Sequence, residues 1–269
     1  MKTSKSILIY VLSTWIISAL VWLIGSYFNS SILIIVGISV PSVLALIMTF
    51  RKDKQTFYGL LKSLFNFKIS LKSYLLIFMY LPMIVVISYI IMRLLNIETP
   101  DVSYKIYEVP LVFVVILFTM GPLGEEIGWR GYVLPTLTEK HHILKASLIL
   151  GLIWSVWHLP LFFMSHSLQY AFVQSYGFFV AFAGYLTYTM LLSIFMGIMY
   201  EKTHHHLCAQ ILIHTIANLT IGIMPIVFNI KGALIQLIIM TLFTLILIYF
   251  QKIGSHATVI QHNHVDINE

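Results

Sequence analysis

Charge is what this sequence has least of. Of its 269 residues only 10% are Asp, Glu, Lys or Arg, while 59% are apolar and the mean hydropathy is +0.92. A soluble domain carries about 25% charged residues, so this chain has too little polar surface to cover itself in water. Cysteine is nearly absent too: Cys208 stands alone, which excludes an internal disulfide and any Cys-based metal site. Internal repeats, low-complexity tracts and an appended soluble domain are all missing. A soluble enzyme, a secreted disulfide scaffold and a disordered chain are thereby excluded. What remains is an all-α polytopic membrane protein, because long apolar segments satisfy their backbone in lipid only as helices.

Eight apolar segments read as spans, at about 7–28, 31–50, 73–95, 109–128, 146–164, 174–200, 207–228 and 232–251, and together they make one transmembrane domain over residues 1–269. Pro82 and Pro160 fall inside the third and fifth, which membrane helices tolerate. The basic start followed by Ile7–Phe28 imitates a signal peptide. The run exceeds a 7–15-residue h-region and lacks an Ala-x-Ala site, so it is expected to stay as the first span. The net charge of +6 points to anionic headgroups rather than nucleic acid. Segment 51–72 carries Arg51, Lys52, Lys54, Lys62, Lys68 and Lys72 against Asp53, and is expected to be cytoplasmic. Segment 96–108 has Glu98, Asp101 and Glu108 against Lys105 and is expected outside, while Arg130, Lys140 and Lys145 return 129–145 to the cytoplasm. Both termini of a multi-pass cell-membrane protein then lie in the cytoplasm, in keeping with Lys2, Lys5 and Lys252.

Ionisable groups inside spans are costly and usually functional. Three places qualify: Gly121 to Gly131 at the end of the fourth span, Trp154 to His158 in the fifth, and His214 to Asn218 in the seventh. Glu126 and Arg130 are four apart, hence on one helical face, and suit an ion pair. Glu125 points about 100° away, lacks that partner, and suits a general base. His214 and Asn218 are also four apart and face one point, and Trp154 would wall the His158 ring one turn on. Any one of these reads equally as a juxtamembrane charge or a core histidine. Three groups facing inward from three helices read as a polar site between helices four, five and seven. Counted from the cytoplasmic ends, Glu125 is near the surface, with His158 and His214 roughly 18 and 10 Å deep at 1.5 Å per residue. A cavity open to the cytoplasm is the expectation.

Glu-Glu-x-x-x-Arg, aromatic-x-x-x-His and His-x-x-x-Asn, in this order on successive helices, resemble the CPBP (Abi) family, which includes CAAX prenyl endopeptidases and bacterial proteins tied to bacteriocin processing and self-immunity. The resemblance covers residues 109–228, a CPBP-like catalytic core, and the earlier spans match only in kind. Trp154 stands where Phe is commoner in the family, a conservative departure. The resemblance implies an intramembrane endopeptidase, CAAX prenyl protease-like, acting near the cytoplasmic face on a peptide or membrane-anchored protein. In that reading Glu125 activates water, Glu126 and Arg130 support it, His158 shares base or ligand duty, and His214 and Asn218 hold the water or the oxyanion. Two mechanisms stay open: a zinc held by Glu125, His158 and His214, or direct activation of water without a metal.

His141-His142, His204-His205-His206, His256, His262 and His264 read as exposed histidines rather than a physiological metal site, and Cys208 as a packing residue rather than a nucleophile. Two other classes compete with the protease. A silent immunity or scaffold protein of the same fold would show broken motifs, and here all three are intact. A proton-coupled transporter would show inverted repeats, and none is found.

Overall fold

Polar caps punctuate the apolar runs. The computed structural model describes residues 2–265, with side chains over 5–251, so the side chains of Lys2, Lys252, His256, His262 and His264 lie outside the described residues. Helix α1 (Lys2–Tyr27) turns through Asn29 into α2 (Ser31–Lys52), whose first turn is capped by the Ser30 hydroxyl. Asp53 ends α2 and starts the short α3 (Lys54–Leu64), its carboxylate accepting from the Gln55 and Thr56 N–H groups at 3.1 and 2.7 Å. Ser70 caps α4 (Leu71–Leu94) in the same way. The fourth segment is broken into α5 (Val109–Thr119), α6 (Pro122–Gly128), a π-helical turn (Trp129–Val133) and α7 (Leu134–Thr138). Then come α8 (Ile143–Trp157), a 3-10 turn (Leu159–Phe163), α9 (Leu168–Tyr176), α10 (Phe178–Lys202), α11 (Leu207–Ile223) and α12 (Ile230–Val265).

Among the described residues the eight expected spans become six helices long and apolar enough to cross a membrane, or seven if the bent pair around Gly121 is counted as one. Two expectations need correction. The fourth span is not one helix: Val109–Thr119 and Pro122–Thr138 meet at 42°. The seventh is only 17 residues, about 25 Å at 1.5 Å per residue, short of a hydrocarbon core of about 30 Å. Its residues are buried nearly throughout, so neighbouring helices rather than lipid surround it. Pro160 also acts differently from a mid-span proline, since α8 stops at Trp157 and Pro160 opens the 3-10 turn. On the outer helices Leu, Ile and Phe side chains such as Leu8, Ile16, Leu23 and Leu245 are exposed, as lipid-facing positions should be.

Hydrogen bonds between loops sort the two ends of the bundle. At one end Ser6 meets Tyr132 at 2.9 Å, the Cys208 thiol donates to the Asn66 carbonyl, Asn66 Nδ2 donates to His206 Nε2, and Gln251 donates to Glu201. This end carries segment 51–72 and is the basic end. At the other, Ser103 N donates to the Ile223 carbonyl, Asn229 to the Glu98 carbonyl, and the Tyr176 hydroxyl to the Val227 carbonyl. This end carries segment 96–108 and is the acidic end. Helix α11 therefore runs from the basic to the acidic end despite its shortness.

Candidate active site

The break in the fourth segment is written in Gly121-Pro122. Gly121 adopts φ 108°, where a side chain would be strained, and Pro122 restarts the helix at its first turn. A Cβ at Gly121 would overlap Glu125 Oε1 and reach within 3.3 Å of His214 Cε1, so the turn needs glycine for space as well as conformation. The next two glycines seat α6. A Cβ at Gly124 would lie 3.1 Å from Ser39 Cα, and one at Gly128 would lie 2.6 Å from the Pro41 carbonyl oxygen, so α6 packs backbone to backbone on α2. The π-helical turn follows at once, and such turns recur at functional sites.

Around this turn the polar groups interlock. Glu126 Oε1 accepts from Arg130 Nη1 at 3.0 Å and from His214 Nδ1 at 2.7 Å. The Arg130 guanidinium lies 4.4 Å from the centre of the Trp154 ring, whose Nε1–H donates to Glu125 Oε2 at 2.6 Å. His158 Nδ1 donates to the Trp154 carbonyl at 2.8 Å; a carbonyl only accepts, so Nδ1 carries the proton. Trp154 stands edge-on between the two imidazoles, 5.8 Å from His158 and 5.2 Å from His214. Glu125, Glu126, Arg130, His158 and His214 are all buried.

The expected Glu126–Arg130 pair is present, and Glu125, His158, His214 and Asn218 line one cavity. Three local readings are corrected. Glu125 is not without a partner, because Trp154 donates to Oε2; only Oε1 has no hydrogen bond among the described residues. Trp154 is thus less conservative than it looked, since Phe could not make that bond. His214 and Asn218 do not share a target: His214 turns to Glu126, whereas Asn218 Nδ2 donates to the Met120 carbonyl at 2.9 Å, closing the broken end of α5. Helical spacing fixes which face a residue occupies but not the partner it chooses there.

The cavity itself has a volume of about 1710 Å³ and mostly apolar walls. Its floor is Glu125, Trp154, Leu192 and His214, and its rim is Ser30, Ser103, Tyr104, Ser167, Tyr176 and Phe228. The rim belongs to the acidic end, and segment 51–72 contributes nothing to the lining. The expectation of a cavity open on the basic side is therefore corrected. The depth estimate missed this because it counted Glu125 from the end of an unbroken helix; with α7 and the π-turn behind it, Glu125 lies mid-bundle. On the wall, both polar atoms of the buried Gln236 amide and the Tyr188 hydroxyl have no partner among the described residues. Sequence reading passed over both.

The zinc reading needs Glu125, His158 and His214 to converge as ligands. Among the described residues no three His, Cys, Asp or Glu side chains gather closely enough to hold a metal ion. Trp154 also occupies one Glu125 oxygen and stands edge-on to both rings. The three-ligand set does not fit this geometry, and no step below runs through a metal. Two loop histidines bond locally: His142 Nδ1 caps α8, and His206 accepts from Asn66, its pKa pulled below the usual imidazole range by burial and then by His204 and His205. Cys208 is buried against the Asn66 carbonyl.

Comparison with known proteins meets this geometry. Residues 107–220 match the family model for type II CAAX prenyl endopeptidase Rce1-like proteins. The chain is also similar to CAAX prenyl protease 2 of Methanococcus maripaludis, 27% identical over 175 residues. That alignment covers 60% of this chain and 65% of the relative, just under two thirds of the relative's length. The stretch matched to the family model, less than half of the chain, contains the broken helix, Trp154, both site histidines and Asn218.

Proposed function

We propose that this membrane protein is an intramembrane endopeptidase of the CAAX prenyl protease-like kind, with residues 109–228 as its catalytic core. The observation that carries the reading is Glu125: a buried carboxylate on a cavity floor, one oxygen held by Trp154 and the other without a partner among the described residues. A substrate carbonyl enters from above, with water between it and Glu125. Nε2 of His158, left as an acceptor because Nδ1 donates to Trp154, orients that water. Glu125 removes a proton as the water oxygen bonds to the carbonyl carbon. His214, its Nδ1–H on Glu126, presents Nε2–H to the oxyanion, and the charge is balanced by Glu126. Collapse breaks the C–N bond, and Glu125 returns its proton to the leaving amine.

Arg130 keeps Glu126 aimed, and Asn218 fixes the Met120 carbonyl so that Gly121 and Glu125 stay in place. Both are positioning residues. The apolar walls suit a peptide or membrane-anchored protein whose segment near the cleaved bond is apolar. Comparing membrane-associated peptides in cells carrying wild type and Glu125→Ala tests this. Fragments present only with wild type are the expected result. Identical peptide profiles, with both proteins at equal abundance, would sink the proposal.

A further inference from the structure

We infer that the chamber receives its substrate from the outer face of the membrane, so that the substrate is an exported peptide or a segment anchored from the outer leaflet. This rests on the endopeptidase reading for what happens at Glu125, but the side of access stands on two separate observations. The first is shape. The lining residues of the cavity come from the half of the bundle at the acidic end: the α1–α2 turn, Ser103 and Tyr104, α9, and the first halves of α10 and α12. Behind the floor, toward the basic end, Trp129, Val133, Leu134, Phe195, Met196 and Met199 are almost fully buried. The chamber reaches the acidic end, and in that half also the lipid-facing positions Leu111, Phe179 and Leu234, while aromatic and aliphatic side chains stopper the basic end.

The second observation is charge. The basic end has six Lys or Arg against one Asp in segment 51–72 alone, joined by Lys5, Lys140, Lys145 and Lys202 against Glu139 and Glu201. The mouth end has Glu98, Asp101 and Glu108 against Lys105, no charge in 165–177, and only Arg93 and Lys231 at the nearby helix ends. Short loops rich in Lys and Arg stay on the cytoplasmic side. Hydrogen bonding between loops groups these segments by end without any use of charge, so the two observations are independent. Combined, they turn the mouth away from the cytoplasm. A cytoplasmic peptide would meet only the stoppered end.

Cysteine accessibility in intact cells tests this without needing catalysis. The native Cys208 is buried and is replaced by Ala to give a silent background. Single cysteines are placed at Ser103 on the rim, Gly184 on the wall, where a Cβ meets nothing within 4 Å, and Lys62 at the basic end. Cells are treated with a membrane-impermeant maleimide and the mass shift is read. The expected result is near-complete labelling at 103 and 184 in intact cells, with labelling at 62 lost until the cells are permeabilised. Labelling at 62 in intact cells, or at 103 and 184 only after permeabilisation, would overturn the inference. If Gly184→Cys does not accumulate, His166→Cys on the same lining replaces it. Repeating the labelling on Glu125→Ala separates the two questions, because an inactive protein that labels as expected refutes only the chemistry.

Discussion

Arg130→Ala is the sharpest test of how the cluster is held. Arg130 and Glu126 have no exposed surface, and their 3.0 Å ion pair is the only hydrogen bond the guanidinium makes among the described residues. Truncation leaves Glu126 buried with only His214 beside it. Breaking a buried pair from one side costs about 3–5 kcal/mol. Losing the cation over the Trp154 face removes about 2 kcal/mol more in a desolvated setting. Two effects oppose this: Arg130 Nε and Nη2 have no partners, and their removal relieves about 1–3 kcal/mol. The net expectation is a loss of about 2–6 kcal/mol, read as a fall in unfolding temperature of roughly 4–24 °C in detergent at about 2–4 °C per kcal/mol. Glu126→Gln/Arg130→Met, which removes both charges and keeps an acceptor for His214, should restore most of that stability, since apolar replacement of buried pairs is often neutral or better. Activity should stay low in both variants. If Arg130→Ala unfolds at the wild-type temperature, the pair is not what holds Glu126.

Gly121→Ala should cut activity about 100-fold or more, because its Cβ overlaps Glu125 Oε1 and a shift of about 1 Å in a reacting group can cost that much; steady-state kinetics on an identified substrate checks it. Glu125→Ala/His158→Ala should be scarcely slower than either single variant, as groups acting as one unit are non-additive, and multiplicative losses would separate their roles. Gln236→Leu should raise stability by about 1–3 kcal/mol by removing a buried amide with no partner, while KM rises and kcat holds. An unchanged KM there would mean that the amide does not touch the peptide.

The sequence was most readable where a rule of spacing meets a hard physical cost. Lipid forbids unsatisfied backbone, so apolar length alone announced helices; buried charge is dear, so Glu126 and Arg130 at i and i+4 announced their pair. Reading failed where a break was averaged into a hydrophobic run. Gly121-Pro122 is a turn signal inside 109–128, and taking it seriously would have moved Glu125 from the surface to the middle of the bundle. Partner choice was illegible for another reason. Asn218 could have faced His214 by periodicity, but only the folded chain shows that the Met120 carbonyl, stranded at the break, needs a donor more.

That need runs through the whole N-terminal half, which resembled the family only in kind yet braces the site. Breaking a helix inside a membrane strands carbonyls, and each must find a donor where no water is assured. Pro41 denies the Gly37 carbonyl its helical partner, and Ser18 supplies a hydroxyl at 2.9 Å. The Tyr10 hydroxyl donates to the Pro41 carbonyl, and Ser42 to the Leu123 carbonyl on the α6 side of the contact. These hydroxyls let the α2 backbone approach Gly124 and Gly128 closely enough for the first turn of α6 to be held rigidly. Glu125 sits in that turn. Spans α1 and α2 therefore act as the wall against which the Glu125 turn is set. A chain with an intact Glu-Glu-x-x-x-Arg motif but a bulky residue at position 124 or 128 would carry the right carboxylate in the wrong place.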